Sequence, residues 1–237
     1  MFNNDTLSDC TAAAAAHQRT AWTTYGQGTP VVSTDAQVLR FYELCSGYRP
    51  GQRSTDRGAV MQDCLTMWRK VGLGGDKILA FFQLNHTDLD EIREALWLFG
   101  GVYTGVNIPA SAMTQFHAGK PWRYDPTLDN TIIGRHCVHL GAMDTHHGSA
   151  KVTTWGTVHN VTLEWLVEFT EEAWGVCSPD WINNTMSPEG LDCAALNAAF
   201  TELTGEPGPF PTPETLGAMK SKLRSWAQTA RRWATEN

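Results

Sequence analysis

The chain has 237 residues, 42% apolar and 18% charged, with 25 Asp and Glu against 18 Lys and Arg for a formal net charge of −7. It can bury a large core as one domain or two subdomains. The acidic balance and the lack of any Lys/Arg run exclude a nucleic-acid partner, and no apolar stretch reaches the length of a membrane span.

The opening segment MFNNDTLSDC has neither a basic nor an apolar leader region, and the six cysteines lack C-x-x-C spacing. Free thiols in a reducing, cytoplasmic setting are therefore expected. Five alanines, Ala12–Ala16, follow Cys10 and Thr11. Alanine is the strongest helix former, so a helix begins here, with Ser8 or Asp9 as its cap. Cys10 then lies in the first turn, where free N–H groups and the helix dipole favour a thiolate.

TYGQGTPVVSTD reads as a polar loop ending at a cap, Ser33 or Thr34. DAQVLRFYELCSG has helical spacing and stops at Gly47, and SGYRPGQRSTDRG is another loop. GAVMQDCLTMWRKVGLGG sets Val60, Met61, Cys64, Leu65, Trp68 and Val71 on one stripe before two glycines, which predicts a helix. TDLDEIREALWLFGG predicts another, capped by Thr87, with acids in its first turn and Ile92, Ala95, Leu96 and Phe99 turned inward.

From about residue 100 the pattern changes. GVYTGVNIP, RHCVHLGAMD and SAKVTTWG are rich in β-formers, and THHG between the last two predicts a hairpin. LEWLVEFTEEAWGVCS begins with helical spacing and finishes extended. GLDCAALNAAFTELTG is a further helix, and EPGPFPTPE a proline-rich linker. The final TLGAMKSKLRSWAQTARRWATEN carries an amphipathic stripe of Leu216, Met219, Leu223, Trp226, Ala230 and Trp233 that needs a surface to cover it, on this chain or on a partner.

A nucleophilic cysteine needs a base within reach, usually histidine. His17 lies two turns from Cys10, and His86, His117 and His159 sit in polar contexts that predict solvated rings. His146 and His147 occupy the hairpin turn, a weak metal signal that implies no metal or other cofactor. His136 and His139 lie in an apolar strand, where a histidine is costly unless it has a partner.

SDC at a helix start, G-x-H-x-V-x-L-G on a later strand and TTWG on the next resemble the papain-like cysteine peptidases. The resemblance covers about residues 1–185. It implies an α+β fold with a helical subdomain, about 1–99, packed against a strand-rich one, about 100–185, and a helical extension over 186–237. It implies that Cys10 is the nucleophile and His136 its base. Asn4, six residues before Cys10, falls where the family has a glutamine oxyanion donor. Trp155 and Gly156 match the family's Trp-Gly. Thr153 stands where the family has the asparagine that orients the histidine, with Thr154 the neighbouring alternative because strand register is open.

The implied activity is hydrolysis of a peptide or protein substrate. An alternative of another class is a structural or interaction protein on the same fold, for example a bacteriophage virion component that meets assembly partners through the terminal helix. A third, an NlpC/P60-like peptidoglycan endopeptidase, fits less well, because that family is smaller and separates Cys and His by fewer residues.

Overall fold

A computed structural model of the chain describes residues 1–212. The amphipathic segment expected at the C-terminus lies outside those residues. The first element is α1 (Cys10–Gln27), longer than its alanine run because it continues into the stretch expected to be loop before ending at Gly28 in the left-handed region. Ala12 to Ala16 are all buried, as are Gln18, Trp22 and Thr23. A helix with such a narrow, methyl-lined flank can approach a sheet closely, and α1 packs on strand β3 (Ile132–Asp144) and touches its neighbour β2 (Val102–Pro109).

Helix α2 (Asp35–Ser46) is capped by Thr34, one of the two expected residues, in a reciprocal capping box with Gln37, and ends at Gly47 as the sequence predicts. Helix α3 (Met61–Lys70) buries Met61, Cys64, Leu65 and Trp68. Val60 and Val71, assigned to the same stripe, are exposed because they lie just outside the helix. Helix α4 (Leu89–Phe99) is capped by Asp88 rather than Thr87; the Asp88 carboxylate accepts from the N–H groups of Asp90 and Glu91, a charged acceptor at the positive end of the helix.

One antiparallel sheet of six strands runs in the order β1-β6-β2-β3-β4-β5. The remaining strands are β1 (Ala80–Leu84), β4 (Ser149–Thr154), β5 (Thr157–Thr162) and β6 (Thr170–Cys177), and two short helices, α5 (Ala110–His117) and α6 (Leu163–Phe169), lie between them. Strand β1 comes from the first half of the chain and forms the edge against β6, with Ala80 opposite Cys177. Helix α7 (Cys193–Thr204) follows, capped by Asp192. Among the described residues no helix is long and apolar enough to cross a membrane.

Two cores follow from strand alternation. Tyr103, Cys137, Trp174 and Val176 face α1, α2 and α3, whereas Val102, Val106, Val138, Leu140 and Val152 point to the other side with α4 and α6. Trp22 bridges the two. It is fully buried, packs on Trp68 with centroids 5.5 Å apart, and donates its Nε1–H to the Phe99 carbonyl at 2.7 Å. Trp22→Ala is expected to cost about 3–5 kcal/mol, the range for deleting a large buried aromatic. Urea unfolding followed by circular dichroism measures this, and a loss under about 1 kcal/mol, the level of a surface substitution, contradicts the bridging role.

Candidate active site

Cys10 opens α1 and lines a cavity of about 690 Å³. The cavity is lined also by Asn4, Met61, Val106, His136 and Trp155. Two chain segments far apart in sequence therefore bring Cys10 and His136 to one space. The link is backbone as well: the Cys137 N–H, one peptide beyond His136, points at the Cys10 thiol, as does the N–H of Thr11.

These donors favour a thiolate, in line with the helix-start argument, but burial outweighs them and pushes the thiol up to about 11. The expected lowering by the helix start is thus overturned. Protein packs densely against Cys10 from β3, and removing water from a sulfur anion costs more than the two N–H groups return. Burial also holds His136 down, at about 4.

His136 is 9% exposed and has two neighbours. Its Nε2 lies 2.6 Å from the Thr154 hydroxyl oxygen, and its ring is stacked on Trp155, 4.6 Å away at 19°. Thr153, which the resemblance matches to the histidine's orienting residue, does not meet the ring; Thr154, the neighbouring alternative, does. The reason is register. His139 stands opposite Thr153, so Thr153 shares the face of His139 and Cys137, and Thr154 shares the face of Val138 and His136.

The turn fixes this register. Thr154 pairs with Thr157, leaving Trp155 and Gly156 as a two-residue connection with φ of 44° and 75°. Two successive residues of positive φ match the right-handed twist of a hairpin, which is why glycine stands at the second. A tryptophan at the first is strained, and here it is held in place by His136 on one side and by Phe116, 4.8 Å away, on the other.

Asn4 lines the same cavity, in a turn anchored by Phe2, whose buried ring lies 5.0 Å from that of His17. Its Nδ2–H donates to Asp9 Oδ1 at 3.0 Å. Asp9 occupies the N-cap position of α1, as expected, but makes no side-chain cap bond. It is fully buried and its Oδ2 has no partner. Burial, helped by the nearby Asp56 and Asp5, raises it to about 7 against the pull of the Asn4 bond. No sequence signal distinguished Asp9 from an ordinary cap.

The cavity is also lined by charged residues. Arg135 pairs with Glu171 (Nε to Oε2 3.1 Å), and Glu172 accepts the Trp174 Nε1–H at 2.8 Å. His159, expected to be solvated, is buried beside Phe116 and Trp122 on β5. His139 is buried too, on the face turned to α1 and away from His136. His146 and His147 lie in the β3–β4 turn, where His147 Nδ1 meets Asp144 Oδ2 at 2.7 Å. Among the described residues no group of three or more His, Cys, Asp or Glu side chains is placed to hold a metal ion.

Thr154→Val is expected to free the His136 ring and broaden its NMR signals, while Thr153→Val leaves them unchanged; the reverse pattern contradicts the register. Asp9 adds a pH test. Its folded pKa lies near 7 against the usual 3.8, so the folded state holds an extra proton between those values and loses stability as pH rises through them. Asp9→Asn removes this effect. Its urea midpoint is expected to match the wild type near pH 4 and to exceed it increasingly up to pH 8; a constant difference overturns the assignment.

The sequence matches no protein-family model, and no curated protein sequence matches it either. Solved structures do match. Xylellain, a cysteine protease from Xylella fastidiosa, aligns over 72% of this chain and 79% of its own at 14% identity, with a TM-score of 0.57. The bromelain protease from Ananas comosus, solved with the E64 inhibitor, aligns over 74% and 92% at 11% identity, with a TM-score of 0.51. The chain has the papain-like α+β fold.

Proposed function

We propose that the protein is a cysteine peptidase or amidase acting through Cys10 and His136. The observation that carries this reading is the meeting of the two residues on one cavity, with the imidazole held by Thr154 on Nε2 and by Trp155 on its face. Holding Nε2 in this way leaves Nδ1 as the nitrogen available to the thiol, the base–orienter arrangement that activates a nucleophile.

In this mechanism the Cys10 sulfur attacks the carbonyl carbon of a peptide bond and its proton passes to His136. The oxyanion is held by the Cys10 backbone N–H and the Asn4 carboxamide. The tetrahedral species collapses, the C–N bond breaks, and His136 gives its proton to the departing amine. Water, deprotonated by His136, then attacks the thioester; the acid leaves and Cys10 regains its proton. In this reading the substrate peptide occupies the cavity that Cys10, His136, Arg135, Glu171 and Glu172 line.

Because burial keeps the thiol and the imidazole each neutral near pH 7, His136 acts as a general base on a neutral thiol. That point also favours a second reading, a cleft that binds peptides and turns them over slowly or not at all.

The test is hydrolysis of fluorescein-labelled casein together with site-resolved iodoacetamide labelling. Cys10→Ser is expected to lose casein hydrolysis at least a hundredfold, consistent with the large effect of removing a nucleophile. His136→Ala is expected to slow Cys10 labelling at least tenfold at pH 7, the scale of general-base assistance. That gap should close towards pH 11, where the thiol ionises unaided. Hydrolysis that survives in Cys10→Ser overturns the mechanism. Labelling without hydrolysis favours the second reading.

A further inference from the structure

Asp9 is the most confined ionisable side chain beside the cavity, and the mechanism above does not use it. It directly precedes Cys10, is fully buried, and spends one carboxylate oxygen on the Asn4 amide while the other has no partner. An N-cap aspartate ordinarily accepts from the first helical N–H groups. Here the side chain makes no such bond and serves Asn4 instead.

We propose that Asp9 is a positioning residue whose ionised carboxylate selects the orientation of the Asn4 carboxamide that presents an N–H to the oxyanion. The inference rests on the reading of Asn4 as an oxyanion donor.

The argument is one of donors and acceptors. A carboxylate accepts only, so it holds Asn4 by Nδ2, and the second hydrogen of that nitrogen remains for the cavity that Asn4 lines. A protonated carboxyl also donates, and its O–H can bond the amide oxygen. It therefore no longer distinguishes the two amide orientations, one of which turns an oxygen lone pair towards the developing negative charge. Repelling that charge removes the stabilisation on which acyl transfer depends.

The titratable groups around Asp9 reinforce the switch. Asp5 on the N-terminal turn and Asp56 on the loop after α2 are both acidic, and Cys10 adjoins it on α1. Asp56 is itself tied down, accepting the Tyr42 hydroxyl at 2.6 Å and the Ser8 N–H at 3.0 Å, so the segment carrying Asn4 and Asp9 is clasped to the helical side. Burial first, and these acids after it, hold the Asp9 pKa up near 7, in the range where the enzyme works.

The experiment compares kcat and KM for fluorescein-casein with the rate of iodoacetamide labelling at Cys10, from pH 5 to 9. Wild type, Asp9→Asn, Asn4→Ala and the double variant are measured. Alkylation at a saturated carbon creates no oxyanion, so it reports assembly of Cys10 and His136 without the donor. The wild-type kcat is expected to rise through an ionisation near 7 at which labelling does not rise, because the Asp9 charge acts on the Cys10 thiol only by disfavouring its anion. Asp9→Asn should lose that ionisation and about tenfold or more in kcat, with KM and labelling within about twofold, since a lost oxyanion contact acts on the transition state. Asn4→Ala should do the same, and the double variant should be no slower than Asn4→Ala, because Asp9 acts only through Asn4.

Retention of the ionisation in Asp9→Asn overturns the proposal while the peptidase reading stands. So does a loss of labelling parallel to that of hydrolysis, or full additivity in the double variant. A wild type that hydrolyses nothing overturns the peptidase reading itself, and Asp9's role with it.

Discussion

Close contact between the first turns of α1 and strand β3 is the constraint on which the site depends. Ala12 to Ala16 are all buried, and their small side chains suit the close packing of α1 on β3 that brings the Cys137 N–H to the Cys10 thiol. The alanine run thus has two effects. Its helix propensity starts the helix at Cys10, and its small volume brings that start to the strand carrying His136. A larger side chain such as valine overpacks this buried run and strains the seating of α1.

The same proximity decides the electrostatics. A cysteine at a helix start is expected to be acidic, because the N–H groups there stabilise an anion. In this protein those N–H groups are present, yet the packing that brings them close also strips away water, and desolvation is the larger effect at Cys10, His136 and Asp9 alike. All three are held towards their neutral forms. The same cavity is lined by charged side chains, among them Arg57, Arg135, Glu171 and Glu172, with Arg135 paired to Glu171.

Much of this was readable from sequence because it depends on local signals. Thr34, one of two expected caps, starts a helix, Gly47 ends it, and the stripe of α3 is periodic. Cys10, His136, Asn4 and Trp155 were singled out and lie on one cavity. What was missed depends on partners that sequence does not display. Strand β1 has no alternation, since Ala80 to Phe82 are all half-buried, and only β6 makes it a strand. In β5 the buried residues are His159 and Val161, and a histidine in a polar stretch gives no hint that Phe116 and Trp122 enclose it.

The shift from Thr153 to Thr154 illustrates how a pattern carries over less completely than the geometry it stands for. Counting back from Trp-Gly gives Thr153, but a strand side chain is useful only on the face where its partner lies, and that face is set by the turn. Once Trp155 and Gly156 form the turn, Thr154 is the last residue of β4 and shares the face of His136. A hydroxyl is shorter than a carboxamide, and it reaches the ring because it arises from the position closest to the turn that also delivers Trp155. The stacked indole and the hydroxyl therefore act as one clamp: the first fixes the plane of the imidazole and the second its rotation within that plane. Altering the turn would release both at once, so the orientation of His136 is a property of the Trp155–Gly156 hairpin more than of any single hydrogen-bond partner.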